Sequence, residues 1–301
     1  MDNYVNLLIE NEDKKGIKMK SKIKKATYQN PIVIMIVLFM IGIYGLGIPM
    51  GQGLWGMIAQ RLLLGIMMFV ALYLIAGKEA FQWTKKSGRY ALLRGAYPLL
   101  VSLYFSVNSL MGGTWIIKNN IVIIFIVYLL FSFSIGIFEE GLFRGIIMNG
   151  FVKIMPKTKA GLYWAVIISS FIFGFVHVMS YIPYIEINPL SIFVQMISKI
   201  INAGALGMLL ATIYLKTKNI WTCVTIHALN DFFTFFREIF QKLGSVFTAP
   251  RYVDVSKIMN QQITLYYILF IMLSIPNIII AVMILKKLKP QECIIWKWNL
   301  Y

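Results

Sequence analysis

The chain is poor in the residues that carry most soluble-protein chemistry. Among 301 residues there are two histidines, two cysteines and 12 acidic residues. Charged residues make up 14%, where a soluble domain carries about 25%, and this shortfall excludes an ordinary soluble protein. The cysteines, Cys223 inside an apolar run and Cys293 near the C-terminal end, imply no disulfide framework. No serine or cysteine stands beside a histidine with a third group to orient it, which argues against nucleophilic catalysis. The H-E-x-x-H spacing that makes a zincin recognisable is missing. Neither an internal repeat nor a low-complexity segment is visible.

Hydrocarbon is what the chain has in quantity: 59% of it is hydrophobic and its mean hydropathy is +0.73. A span needs about 20 apolar residues. Eight such runs can be read, at roughly 31–50, 55–77, 96–113, 121–138, 160–179, 190–215, 219–240 and 263–285. Lipid leaves an open strand edge unsatisfied, so all eight are expected as helices. The predicted fold is an all-α polytopic membrane protein of about eight transmembrane helices. It divides into a basic arm (1–30), a membrane domain (31–285) and a short tail (286–301). Residues 31–50 are too long for a signal-peptide core and lack a small-x-small site, so no cleavage is expected.

The net charge of +17 is not spread as a nucleic-acid binder would spread it. Basic residues gather in alternate links. The arm reads EDKKGIKMKSKIKK, the second link GKEAFQWTKKSGRYALLRG. The fourth holds Lys153, Lys157 and Lys159, the sixth Lys216 and Lys218, and the tail Lys286, Lys287 and Lys289. The first and fifth links hold none, and the third only Lys118. The longer seventh link, 241–262, holds Lys242, Arg251 and Lys257. This is the positive-inside pattern. It predicts a multi-pass cell-membrane protein with both termini cytoplasmic, the lipid bilayer as its partner, and no nucleic acid. The arm serves topology, or lies on anionic lipid as an interfacial helix.

Against this background the polar groups inside the spans stand out. GIFEEGLFRG, residues 136–145, places Glu139, Glu140 and Arg144 at the end of a long apolar run. One charge at mid-membrane costs about 2.5–3.5 kcal/mol even on lenient insertion scales, so three together mark a functional site. Glu140 and Arg144 are four apart, with the acid N-terminal, the favoured order for a helical pair. Glu139 is turned about 100° away and is left without that partner. Both histidines also lie in spans, His177 in SSFIFGFVHVMS and His227 in WTCVTIHALND. Phe173 lies one turn before His177 and can stack on its ring. His227 and Asp231 share a helix face, with Asn230 beside them. Arg61, near an outer span end, is expected to snorkel; Lys199 lies deeper, with no role assigned.

EEGLFR, FGFVH and HALND occur in that order along residues 121–240. Together they resemble the signature of the CaaX protease and bacteriocin-processing family of intramembrane proteases, relatives of the type II CaaX prenyl endopeptidases: E-E-x-x-x-R, then F-x-x-x-H, then H-x-x-x-N or D. The resemblance implies Glu139 as catalytic carboxylate with His177 as its partner, Glu140 and Arg144 as a supporting pair, and His227 with its i+4 group stabilising developing charge. That group is Asp231 here, where many members carry asparagine. An ionised aspartate cannot donate to an oxyanion, so Asp231 is protonated, or Asn230 donates, or the site holds a metal. The expected substrates are short membrane-tethered peptides, either leader, pheromone or bacteriocin peptides or prenylated C-termini. The chain's own end, WNLY, is no prenylation signal.

Two routes to peptide hydrolysis stay open. In one, Glu139 is the general base and His227 with Asn230 or Asp231 binds the oxyanion. In the other, Glu139, His177 and His227 hold zinc, which activates the water. Charge topology poses a difficulty of depth, because it puts His177 toward the outer end of its span and Glu139 toward the cytoplasmic end of its own. The glycines at 136, 141, 145 and 174 offer close helix approach or bending. The competing functions are a proton-coupled transporter, in which buried Glu, His and Asp relay protons, and a non-catalytic immunity or partner protein on the same fold.

Overall fold

The computed structural model describes residues 30–111, 120–184, 189–240, 261–293 and 296. Almost all of the basic arm, Lys118, residues 241–260 and most of the tail beyond Cys293 lie outside the described residues. Among the described residues the chain is helical, without strands. Its α-helices are α1 (Pro31–Leu46), α2 (Gly53–Ala76), α3 (Lys85–Met111), α4 (Ile121–Glu140), α5 (Asn149–Ile154), α6 (Lys159–Val176), α7 (Pro189–Thr217), α8 (Ile220–Ile239), α9 (Gln261–Met272) and α10 (Ile275–Lys287). The run IVIIFIVYLLFSFS in α4 is rich in β-branched and aromatic residues. It is helical all the same, because in hydrocarbon only a helix satisfies its own backbone.

Six stretches are long and apolar enough to cross a membrane: Gly53–Ala76, Lys85–Asn108, Ile121–Ile154, Lys159–Val176, Ile192–Thr217 and Tyr267–Lys287. Where described, all eight expected segments are helical, the eighth as two helices, α9 and α10, joined by a turn, but two fall short of this standard. Helix α1 is apolar yet has only 16 residues, about 24 Å of rise. Helix α8 carries His227, Asp231, Arg237 and Glu238, and these polar groups dilute its hydropathy. The third segment also begins well before the expected position 96, at Lys85. The charged stretch read as a link is thus partly the first turns of α3.

Three helices start on polar side chains at the basic end of the bundle. Asn30 accepts from the Ile32 N–H at 3.0 Å, with Pro31 opening the helix. Thr158 accepts from Gly161 N–H at 3.1 Å and Asn219 from Trp221 N–H at 2.9 Å. Each cap satisfies a backbone donor that a helix start leaves free.

Helix α4 packs most extensively on α8, α6 on α7, and α3 on α8, while α2 backs α4. Two of the expected glycine contacts set these distances. A Cβ on Gly136 would meet the carbonyl oxygen of Val224 in α8 at 3.0 Å. One on Gly174 would meet that of Ile200 in α7 at 2.5 Å. Gly141 and Gly145 instead face Met68 and Leu72 of α2.

The segment Gly141–Met148 is π-helical and joins α4 to α5 without a break in direction. A π turn leaves carbonyls short of partners and often sits beside a functional centre. Asn149 supplies one donor there, its Nδ2 bonding the Gly145 carbonyl at 2.9 Å and the Tyr214 hydroxyl at 3.1 Å.

Continuation to Ile154 removes the expected difference in depth. Glu139 lies mid-span, some four turns ahead of the hairpin that follows Ile154. His177 lies five turns beyond Lys159, on the helix that returns from that hairpin. At 1.5 Å per residue both rise roughly 22–27 Å from the turn, and so they meet.

Candidate active site

The last turn of α4 aims two carboxylates in different directions. Glu140 has no exposure and pairs with Arg144 at 3.0 Å, its Oε1 to Nη1. The Arg144 guanidinium lies over the Phe173 ring, 4.3 Å from its centroid, and donates to the Gly207 carbonyl at 3.3 Å. It is 2% exposed, so its charge is answered by protein alone: a carboxylate, a π face and a carbonyl. The same Glu140 Oε1 accepts from His227 Nδ1 at 2.6 Å. One oxygen therefore ties the arginine of the π segment to the histidine of α8.

His177 caps the C-terminal end of α6. Its Nδ1 lies 2.8 Å from the Phe173 carbonyl. A carbonyl can only accept, so Nδ1 carries the proton. Glu140 fixes His227 in the same sense. Both rings thus present Nε2 to the centre, where each lies 3.7 Å from Oε2 of Glu139. That atom is buried and has no hydrogen-bond partner. Such a separation is too long for a direct hydrogen bond and leaves room for a water touching both atoms. Phe173 meets both rings edge-on, at 4.5 Å for His177 and 5.9 Å for His227. The expected stack on His177 is therefore an edge contact, with a ring angle of 60°.

His227 Nε2 also lies 3.5 Å from Oδ2 of Asp231, which gives this ring a carboxylate at each nitrogen. Asn230 meets a helix that carries no recognisable motif: its side-chain amide lies 2.9 Å from the Ser102 hydroxyl of α3, which also lies 2.6 Å from the Pro98 carbonyl. His177, His227, Asn230, Asp231 and Phe173 line a cavity of about 550 Å³, walled by α3, α7, α8 and the turn between α9 and α10.

All eight expected site residues are brought together. Two cations join them. Lys199 of α7 lines the cavity and lies within electrostatic reach of Asp231 and Glu139. Arg61 is half-buried and turns back toward the N-terminal end of α2. It lies over the Phe131 ring at 5.2 Å, donates to the Met57 carbonyl at 3.5 Å, and sits within electrostatic reach of Glu139 and Asp231. The sequence flags both as intramembrane charges. Ser102 gives no such signal, because a lone serine in a helix is commonplace.

Two imidazole nitrogens and a carboxylate form a donor set that zinc accepts. Among the described residues, however, no three His, Cys, Asp or Glu side chains are disposed to hold a metal ion.

Fold and site together define a multi-pass helical membrane protein with a carboxylate–imidazole centre built inside its bundle. Residues 119–233, the segment that carries all three motifs, match the family model described as type II CAAX prenyl endopeptidase Rce1-like. No curated protein and no solved structure matches. The family match supports a CAAX-type intramembrane protease in general terms.

Proposed function

We propose that this protein is an intramembrane endopeptidase that hydrolyses short membrane-tethered peptides with Glu139 as general base. One observation carries the reading: a buried carboxylate oxygen with no hydrogen-bond partner faces two imidazole Nε2 atoms at 3.7 Å, beside a cavity large enough for a few residues of peptide.

A water between Glu139 and His177 gives one proton to Glu139 while its oxygen attacks the scissile carbonyl carbon. The carbonyl π electrons move onto oxygen. His227 Nε2–H, in the ring with both nitrogens protonated, and the Asn230 amide donate to that oxyanion, the step at which preorganised donors act most strongly. Glu139 then returns its proton to the amide nitrogen, the C–N bond breaks, and an acid and an amine leave. Glu140 and Arg144 position His227. Asp231, at 3.5 Å from Nε2, supports the protonated ring rather than binding the oxyanion itself.

The test is cleavage of a pool of membrane-anchored peptides by the purified protein in liposomes, with Glu139→Ala as control and with and without a chelator. Cleavage that is lost in Glu139→Ala and kept with chelator is the expected result. Loss on chelation would transfer the role to a metal. Equal cleavage by Glu139→Ala would sink the assignment.

A further inference from the structure

The cavity runs from the middle of the bundle toward one end, and most of its walls show which. On α3 it is lined from Tyr97 to Ser106, well beyond Lys85, Lys86 and Arg89. On α7, which runs the other way, it is lined by Lys199 to Leu206, ahead of Lys216 and Lys218. On α8 the lining begins at His227 and continues to Glu238, away from the Asn219 cap. Phe270, Leu273 and Asn277 lie at the far end from Lys286 and Lys287. His177 ends α6, which starts at Lys159. Four walls of alternating direction thus put the cavity in the half of the bundle remote from the lysine-rich ends, and the fifth, α7, lines it at mid-helix. Those ends hold the charges that the positive-inside rule retains in the cytoplasm.

We infer that the cavity receives its ligand from the extracytoplasmic face. Resting on the protease reading above, the substrate is then a membrane-anchored peptide whose scissile segment lies on the outer side, such as one already carried across, and not a cytoplasmic lipidated tail. The site holds charges of both signs: Lys199 and Arg61 lie within electrostatic reach of Glu139 and Asp231, Arg144 answers Glu140, and Arg237 and Glu238 line the cavity together, which is compatible with an uncharged stretch of backbone.

The experiment is cysteine accessibility in intact cells with a membrane-impermeant maleimide. The native thiols are buried and give a low background. Two reporters calibrate the faces: Gln52→Cys, in the link without lysine, and Lys157→Cys, in a basic link; both positions are exposed. Two variants probe the cavity, Thr234→Cys on α8 and Val101→Cys on α3, each read only if it elutes like the wild type. The inference expects Gln52→Cys and the cavity cysteines to label in intact cells, and Lys157→Cys only after permeabilisation. Cavity cysteines that label together with Lys157→Cys, or that stay unlabelled on both faces, would overturn it. Labelling needs no turnover, so failure of the sidedness is distinguishable from failure of the protease reading. The latter would show as correct labelling with no cleavage of outward-facing peptides in proteoliposomes.

Discussion

Arg144→Met should destabilise the protein far more than the loss of one ion pair at a surface. In the native site Glu140 and Arg144 are 0% and 2% exposed and 3.0 Å apart. Removing the cation leaves Glu140 buried, with His227 Nδ1 as its one remaining polar contact on Oε1 and Oε2 already without a hydrogen bond. Breaking a buried pair from one side costs about 3–5 kcal/mol, because the remaining charge is uncompensated. Methionine replaces the guanidinium over the Phe173 ring with an apolar chain, so the loss reports charge more than a cavity. Neutralising both partners is far cheaper, so Glu140→Gln/Arg144→Met should recover most of the stability. Glutamine can still accept from His227 Nδ1, but it no longer holds a charge against the ring, so the double variant should fold and remain a poor enzyme. Unfolding of the three variants in mixed detergent, set out as a double-mutant cycle, reads this directly. A single-variant loss below about 1 kcal/mol, within the range of an exposed pair, would refute the reasoning. So would a double variant no more stable than Arg144→Met.

Glu139→Gln keeps shape and removes the base; turnover should fall about 10²–10⁴-fold with an unchanged melting temperature, measured by peptide cleavage beside thermal unfolding. Gly174→Val should disrupt α6–α7 packing, since a Cβ would meet the Ile200 carbonyl at 2.5 Å; overpacking costs about 1–3 kcal/mol, visible as a lower melting temperature. Ser102→Ala frees the Asn230 amide and should lower kcat more than it raises KM, whereas a purely structural role would move stability instead. Cys293 is 2% exposed, and burial pushes its thiol above the ordinary value. The reactive thiolate is therefore scarce below that raised value and grows as pH rises through it. Iodoacetamide at about pH 8, near the ordinary thiol range, should spare Cys293 in the folded protein and modify it after unfolding; rapid modification of the folded protein would contradict its burial.

The membrane class, the helical fold and the identity of the polar cluster were legible because they depend on local rules. Apolar runs of span length must be helices in lipid, and i, i+4 spacing alone pairs Glu140 with Arg144 and sets His227 over Asp231. What crosses between helices was not legible. No spacing could show that Glu140 Oε1 is shared by Arg144 and His227, which lie far apart in the chain, or that Ser102 meets Asn230. Nor could span counting place Glu139 at the level of His177. Hydropathy drops at Glu139, and a reading by hydropathy ends the run there. The charges are instead absorbed within the bundle, and the helix continues through the π segment to Ile154. Local chemistry decided which groups enter the membrane; the packing of α4, α6 and α8 decided that two imidazoles converge on one buried carboxylate oxygen.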